Sequence, residues 1–425
     1  LRVKKVREGK IEGSGVGDGD TVEVITAGLT QSVPLRLILV NSTEAMGGSG
    51  HPETKCGRGE LGALEAYWFL NDLTEMHGEI VRARYYRSDA YGRPIVHLFA
   101  ETKRGIWLDI NRAMIESGYA HVFYVAPNIT GKLVRFLGVQ SEAQAKGIGI
   151  WQYPHYRRGL HISSIRTFTK DAEAHPHLEF VRVANVNSDR AIQLGGIQLR
   201  NGPMKVTLPN LLLQPGHVVK VLLCGGRYND NTNQELVITV REARKNKGHP
   251  LLDSKQPVEL LEPEPSGTPI SIHIPGSEAN QLVPPGFRHE REPGLHLMAL
   301  NPLQHIKGFH DLKENVRLYN HSEGEIDLSG WVVRQGEKTV KLPDGIKIPP
   351  YRAIQLFTCH GETILDPARR LRLYLGATTV DEPLWRNDRP ILLIDPKGTE
   401  VSMEAATPEA RRLVPKKFLK RKGAV

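Results

Sequence analysis

The sequence predicts a mainly β, multidomain protein: a mixed N-terminal domain of strands and three helices, followed by two β-sandwiches. Three observations predict this. The chain has 425 residues, room for about three domains at roughly 150 residues each. Its texture changes after Trp151, from mixed helix and strand periodicities to short alternating strands separated by turn signals. Finally, one segment is written twice. V-R-V-A-N-V-N-S-D-R-A-I-Q-L-G-G-I from Val181 returns as V-R-L-Y-N-H-S-E-G-E-I-D-L-S-G-W from Val316. Leu208-Pro209 answers Leu342-Pro343, and V-L-L-C-G-G answers L-F-T-C-H-G, at nearly constant offset. That is a duplicated domain rather than a short solenoid repeat.

In the first domain, Val22–Ile25 and Val33–Val40 read as strands, as do Ile80–Tyr86 and Pro94–Phe99, the latter two joined by R-S-D-A-Y-G-R. Helical spacing of apolar residues runs over Glu60–Met76, Leu108–Ser117 and Gly131–Lys146. Each helix stops near a glycine, Gly78, Gly118 or Gly147, the residue that best adopts the left-handed turn at a helix end. The expected boundaries are a first domain over 1–152, a linker over 153–176, a sandwich over 177–264, a loop-rich linker over 265–312, a second sandwich over 313–404 and a disordered basic tail over 405–425.

Composition narrows the function classes. Hydrophobic content of 40% and charged content of 24% are those of folded protein. A net charge of +9 favours polyanionic partners, though weakly. Cys56, Cys224 and Cys359 form no CxxC pair, which argues against a structural zinc site. No apolar run is long enough to span a membrane. The chain starts at Leu1 rather than methionine, as after removal of a signal peptide or tag.

Chemistry concentrates in three stretches. In V-P-L-R-L-I-L-V, strand alternation sets Arg36 beside Ile38 and Val40, on a strand apolar on both faces. A guanidinium there needs an anion, either a protein carboxylate such as Glu44 or a substrate. G-D-G-D-T-V places Asp18 and Asp20 in a turn entering a strand. D-A-Y-G-R-P holds Asp89, Tyr91 and Arg93 in a hairpin turn. Taken singly, Asp20 could cap its turn, Arg93 could pair with Asp89, and Tyr124 could be core.

Together, D-G-D-T-V, R-L-(x)3-N-S-T-E, D-x-Y-G-R and S-E-A-Q-A-K-G-I-G-I-W closely resemble the staphylococcal nuclease family over residues 10–152. The resemblance implies a five-stranded OB-fold barrel with three helices, and calcium-dependent cleavage of DNA and RNA. It implies Asp20, Asn41 and the Ser42 carbonyl as calcium ligands, Glu44 as general base, Arg36 and Arg93 as phosphate clamps, and Tyr91 and Tyr124 as nucleotide contacts. Asn41 stands where the family has aspartate, so magnesium or manganese are alternatives to calcium. Thr43 replaces the proline usual before the glutamate, and the Gly-rich segment Ala45–Gly62 matches the family's substrate loop only loosely. Cys56 lies in that segment without a base partner, which speaks against a nucleophilic role. The family's habit of export favours a secreted or periplasmic location over the cytoplasm.

The second repeat, with I-D-L-S-G-W, L-P-D-G-I-K-I-P-P and W-R-N-D-R-P-I-L-L-I-D-P-K-G, resembles the lamin-tail domain, an immunoglobulin-like sandwich. Trp331 and Trp385 would then be core anchors. Such domains imply binding of nucleic acid, a protein partner or a second copy of the chain. Two functions compete: a metal-dependent nuclease acting on DNA or RNA, and a non-catalytic nucleic-acid-binding scaffold. Intact Arg36, Glu44 and Arg93 favour the first.

Overall fold

The computed structural model describes residues 2–3, 17–25, 32–46, 51–75, 81–89, 92–101, 105, 107–125, 130–166, 179–223, 236–239, 252–284, 286–287, 293–300, 315–366, 371–378, 385, 388–405 and 408–419. Two compact units result: one holds Gly15–Arg288 with the first four residues, the other His289–Val425 with residues 5–14.

The first unit opens with β1 (Arg2–Val3), β2 (Thr21–Ile25), β3 (Ser32–Leu37) and β4 (Leu39–Ser42). Helices α1 (Pro52–Gly57) and α2 (Ala63–Glu75) follow, then β5 (Val81–Ser88), β6 (Pro94–Glu101), β7 (Trp107–Asp109), α3 (Ile110–Glu116), β8 (Ala120–Phe123) and α4 (Thr130–Lys146). The main sheet runs β1-β2-β3-β6-β5, with β7 added on β6. Its β3–β6 pair is parallel and the flanking pairs antiparallel, the pairing of an OB-fold-like sheet. Asp109 shortens α3 relative to its apolar pattern, because its carboxylate caps the helix by accepting from Arg112 N–H.

One departure shapes everything that follows. The single strand expected over Val33–Val40 breaks at Ile38, and Leu39 takes a left-handed φ of 60°. For a non-glycine residue this costs about 1–2 kcal/mol. The break turns β4 away from the sheet to pair with β8, Asn41 opposite His121.

The linker expected over 153–176 is partly a strand. Leu160–Arg166 (β9) pairs with Phe180–Asn185 (β10) and opens the first sheet pair, because L-H-I-S-S-I alternates like its neighbours. The sheets are β9, β10, Val218–Leu222 and Leu236–Thr239 on one side, and Met204–Thr207, Gln198–Asn201, Val258–Leu261 and Pro269–His273 on the other. Ile162, Val183 and Val221 from the first meet Leu199, Val206 and Leu260 from the second in one apolar core. Pro269–His273 also moves the end of this domain beyond the expected residue 264.

In the second unit the same plan recurs. Leu295–Leu300, Asn315–Asn320, Ala353–Cys359 and Leu371–Thr378 form one sheet; Lys338–Lys341, Val332–Gln335, Ile391–Ile394 and Glu400–Glu404 form the other. The parallel pair falls at the same place in both copies, Val218–Leu222 with Leu236–Thr239 and Ala353–Cys359 with Leu371–Thr378. Again the first strand, Leu295–Leu300, lies in what the Pro/Gly-rich sequence presents as a linker over 265–312. Trp385 is buried and Trp331 packs against the same core. Nor is the basic tail over 405–425 wholly disordered: Pro408–Arg411 and Lys416–Leu419 are helical, and Val414 and Phe418, four residues apart, pack on Leu392.

Within the first unit, the nuclease-like domain and the first sandwich share an apolar cluster. Leu61, Ala143, Ile150, Trp151 and Tyr156 meet Ala184, Val186 and Val218. Gln140 strengthens the seam by accepting from Val122 N–H and donating to the Val186 carbonyl.

Candidate active site

The break at Leu39 lets Arg36 fold back on its own chain. Arg36 Nη1 donates to the Val40 carbonyl at 2.7 Å, and Nη2 donates to Asn41 Oδ1 at 2.8 Å. Nη2 also pairs with Asp20 Oδ2 at 2.9 Å. The carboxylate partner is therefore Asp20, not Glu44. Asp20 also accepts from Ser42 N–H at 3.0 Å, so it ties the D-G-D turn to β4. The glycine between the two aspartates is required: a Cβ on Gly19 would stand 2.6 Å from Ser42 Cβ and Ala66 Cβ. Burial raises the Asp20 carboxyl to about 7 against the pull of Arg36, and Asp18 adds to the rise.

Glu44 follows β4 and is half-buried. Its backbone is clamped on both sides by Glu60: Glu44 N–H donates to Glu60 Oε2 at 3.2 Å, and Glu60 N–H donates to the Glu44 carbonyl at 3.0 Å. Gly59 permits the approach, since a Cβ there would meet the Glu44 carbonyl oxygen at 2.5 Å. Burial, then repulsion from Asp20, Asp18 and Glu60, holds the Glu44 carboxyl well above the ordinary carboxylate value; Arg36 offsets this only in part.

Behind Glu44 lies a buried histidine cluster that draws on both domains. Glu60 Oε1 meets His273 Nδ1 at 2.8 Å, and Glu60 Oε2 stands 3.5 Å from His161 Nε2. His161 and His121 rings meet edge to face at 5.4 Å. His121 Nε2 faces Asn41 Nδ2 at 3.3 Å and His121 Nδ1 faces the Val122 carbonyl at 3.1 Å. With Asn41 donating, Nε2 accepts and Nδ1–H donates, the neutral tautomer. Burial accounts for that state: it drops His121 to about 4 and His161 well below the ordinary imidazole value. Asn41 Nδ2 also reaches the Ser163 carbonyl of β9 at 3.4 Å. Thr43 Oγ1, Tyr156 OH and His161 Nε2 are buried beside this cluster and have no hydrogen-bond partner among the described residues.

Arg93 is held by Asp89, Nε to Oδ2 at 2.7 Å and backbone N–H to Oδ1 at 2.8 Å. Burial alone would lower its pKa; the Asp89 hydrogen bond and charge overcome this and raise it, with Asp20 and Asp18 contributing. Arg93 thus lies in the field of the same acidic turn. Tyr91 lies outside the described residues. Tyr124 is not gathered into the cluster: it is buried, its N–H donates to the Gly216 carbonyl, and its ring lies 4.7 Å from His217 of the sandwich. Successive side chains point to opposite sides, so it is Phe123 that lies beside Arg36, 5.9 Å from ring centroid to guanidinium. Cys56 is fully buried, and burial pushes its thiol well up.

The expected calcium ligands do not fit an ion as arranged. Asn41 Oδ1 already accepts from Arg36, and the Ser42 carbonyl accepts from Asn41 Nδ2 at 3.1 Å. Only Asp20 offers an anionic oxygen, and among the described residues no group of three or more His, Cys, Asp or Glu side chains is placed to hold a metal.

Residues 48–153 match the family of staphylococcal nuclease homologues. The matched span contains Glu60, Arg93 and Tyr124, and begins after Asp20, Arg36, Asn41, Ser42 and Glu44. No curated protein matches the chain at a significant level. At the family level this match suggests a nuclease-type first domain and a nucleic-acid substrate class. Among the described residues no helix is long and apolar enough to cross a membrane.

Proposed function

We propose that the first domain hydrolyses phosphodiester bonds of DNA or RNA, with Glu44 as general base and Arg36 and Arg93 at the phosphate. The observation that carries this reading is the setting of Glu44. Its backbone is clamped by Glu60, the residue is half-buried, and burial, then repulsion from Asp20, Asp18 and Glu60, raises its proton affinity. A carboxylate of raised proton affinity is better suited to take a proton from water than an ordinary one. In the proposed step, the water oxygen bonds to phosphorus as its proton passes to Glu44, and the ester P–O bond breaks with its electron pair going to the leaving oxygen, which takes a proton from solvent. Arg93, and Arg36 after exchanging part of its Asp20 contact, stabilise the charge that builds on the phosphoryl oxygens.

The family resemblance adds calcium dependence. What supports a cation is charge, since Asp18, Asp20, Glu44 and Glu60 act on one another around Arg36; the three expected ligands do not support it. Cleavage assays with calcium, magnesium, manganese or EDTA, with Arg93→Ala as control, test both parts. Cleavage by the wild type that is lost in Arg93→Ala supports the site, and the ion panel assigns the metal. Binding without cleavage under every ion would reject the hydrolytic reading.

One observation favours a second reading, a scaffold that binds nucleic acid without cutting it. Both Arg36 amino groups already serve Asp20, Asn41 and Val40. The two sandwiches fit either reading as lamin-tail-like modules that hold substrate, a protein partner or a second copy. Their support is the sequence resemblance and their common strand plan.

A further inference from the structure

The strand leading to the Arg93 turn carries a surface the active-site reading does not use. Strand β5 reads V-R-A-R-Y-Y-R-S and forms an end of the main sheet. Arg82 and Arg84 are exposed on one face. The Arg82 guanidinium lies 3.8 Å over the Trp107 ring of β7, and Arg84 lies 5.5 Å over the Tyr86 ring. A bulge between Tyr85 and Arg87 interrupts the pairing with β6, and Tyr85 is 59% exposed there although its partner Val96 is core. Its hydroxyl meets only Ser88 Oγ, at 3.4 Å.

Charge on this face is unbalanced. From α4, Lys132 Nζ comes within 3.0 Å of His97 Nδ1, opposite Arg84 in the sheet. Burial, then repulsion from Arg84 and Arg135, lowers the Lys132 ammonium in spite of Asp109. Asp109 is occupied by His97 at 2.7 Å and by the Arg112 N–H. Glu101 is a further carboxylate, across from Trp107. Among the described residues Arg82, Arg84 and Arg135 form no salt bridge.

We infer that β5, with Trp107 and the start of α4, is a track for single-stranded nucleic acid that feeds the strand end at Arg93. Cations set against flat aromatic faces suit unpaired bases and their phosphates together: guanidinium and phenol planes stack on bases, and the remaining charge follows the backbone. A duplex hides its base faces, so it could use only the charge. The strand spans roughly 25 Å at ~3.3 Å per residue, enough for several nucleotides. The inference rests on the nuclease-type reading for its substrate class, but not on turnover.

The test is fluorescence anisotropy in EDTA, where binding is measured without cleavage. The full chain is titrated with labelled oligothymidylate, oligouridylate and a mixed-sequence duplex across a salt series. Arg82→Gln with Arg84→Gln is expected to weaken single-strand binding and lower the salt slope by about 1.4, at ~0.7 per phosphate contact. Tyr85→Ala is expected to lose roughly 5- to 100-fold for single strands and little for duplex. Tyr85→Phe restores affinity if stacking is the cause. Arg190→Gln, an exposed charge on the first sandwich, leaves both quantities unchanged. The DNA and RNA arms assign the preferred backbone. Wild-type affinity and slope in the β5 variants, or an equal Tyr85→Ala loss for duplex, overturns the track. Track variants that lose binding while the wild type cleaves nothing uphold the track and reject hydrolysis.

Discussion

The polar interior behind Glu44 has two sides built in opposite ways. On one, Asp20, Arg36 and Asn41 lie in one stretch of chain, and the farthest link, Asp20 to Ser42, spans 22 residues. On the other, Glu60, His121, His161 and His273 come from two domains, and Glu60 to His273 spans 213 residues. The first side is charged and short of cations; on the second, burial lowers His121 and His161 and favours their neutral forms. The difference teaches that the nuclease-type domain does not close on itself. The Glu44 backbone is positioned by Glu60, and Glu60 is met by His273 from the sandwich.

Truncation breaks this comparison most severely. A fragment ending at Tyr153 loses His161, Ser163 and His273 along with Tyr156, Ala184, Val186 and Val218 of the shared apolar cluster. It is expected to lose cooperative thermal unfolding. A fragment ending at Phe287 is expected to keep both the transition and any cleavage. A well-folded, active short fragment would break the account of the seam.

Glu60→Ala strips the acceptor from Glu44 N–H and from His273. The expected loss is about 3 kcal/mol, as for removing one partner of a buried polar pair, read by denaturant unfolding of the fragment ending at Phe287. A loss below about 1 kcal/mol would make the bridge incidental.

The two sides also predict opposite pH dependence. Asp20 is raised to about 7, so the folded state holds its proton more tightly than the unfolded chain, and its contribution disappears as pH rises from about 4 through 7. His121 is lowered to about 4, so its neutral form favours folding above about 6.5, and that contribution disappears as pH falls from 6.5 through 4. Each window amounts to about 3–4 kcal/mol at ~1.4 kcal/mol per unit. Unfolding midpoints across pH should flatten on the neutral side in Asp20→Asn and on the acid side in His121→Gln. The reverse assignment would contradict it.

The smallest effect concerns the ion. Asn41→Asp restores a carboxylate beside Asp20 and is expected to tighten calcium binding about tenfold by calorimetry, a hard cation favouring carboxylate oxygen. No gain would place any calcium away from Asn41.

Legibility followed the same division. That Arg36 needs an anion was readable, because a lone arginine on an apolar strand demands one. The anion itself was not: the turn at Leu39, invisible in an unbroken run of β-formers, gave Arg36 to Asp20. Tyr124, one step past Phe123, meets His217, whereas Phe123 lies beside Arg36. The histidines carried no signal, as each sits singly in an ordinary strand. Both linkers hid first strands because Pro, Gly and His around them mask short alternations such as L-H-I-S-S-I.

The most direct measurement is single-turnover cleavage of labelled single-stranded DNA by wild type and Glu44→Gln, with binding measured in parallel. The account predicts a fall of about 10²–10⁴ in rate, the range for loss of a general base, with affinity within about threefold. Equal loss of binding and turnover, or cleavage that persists in Glu44→Gln, would contradict it.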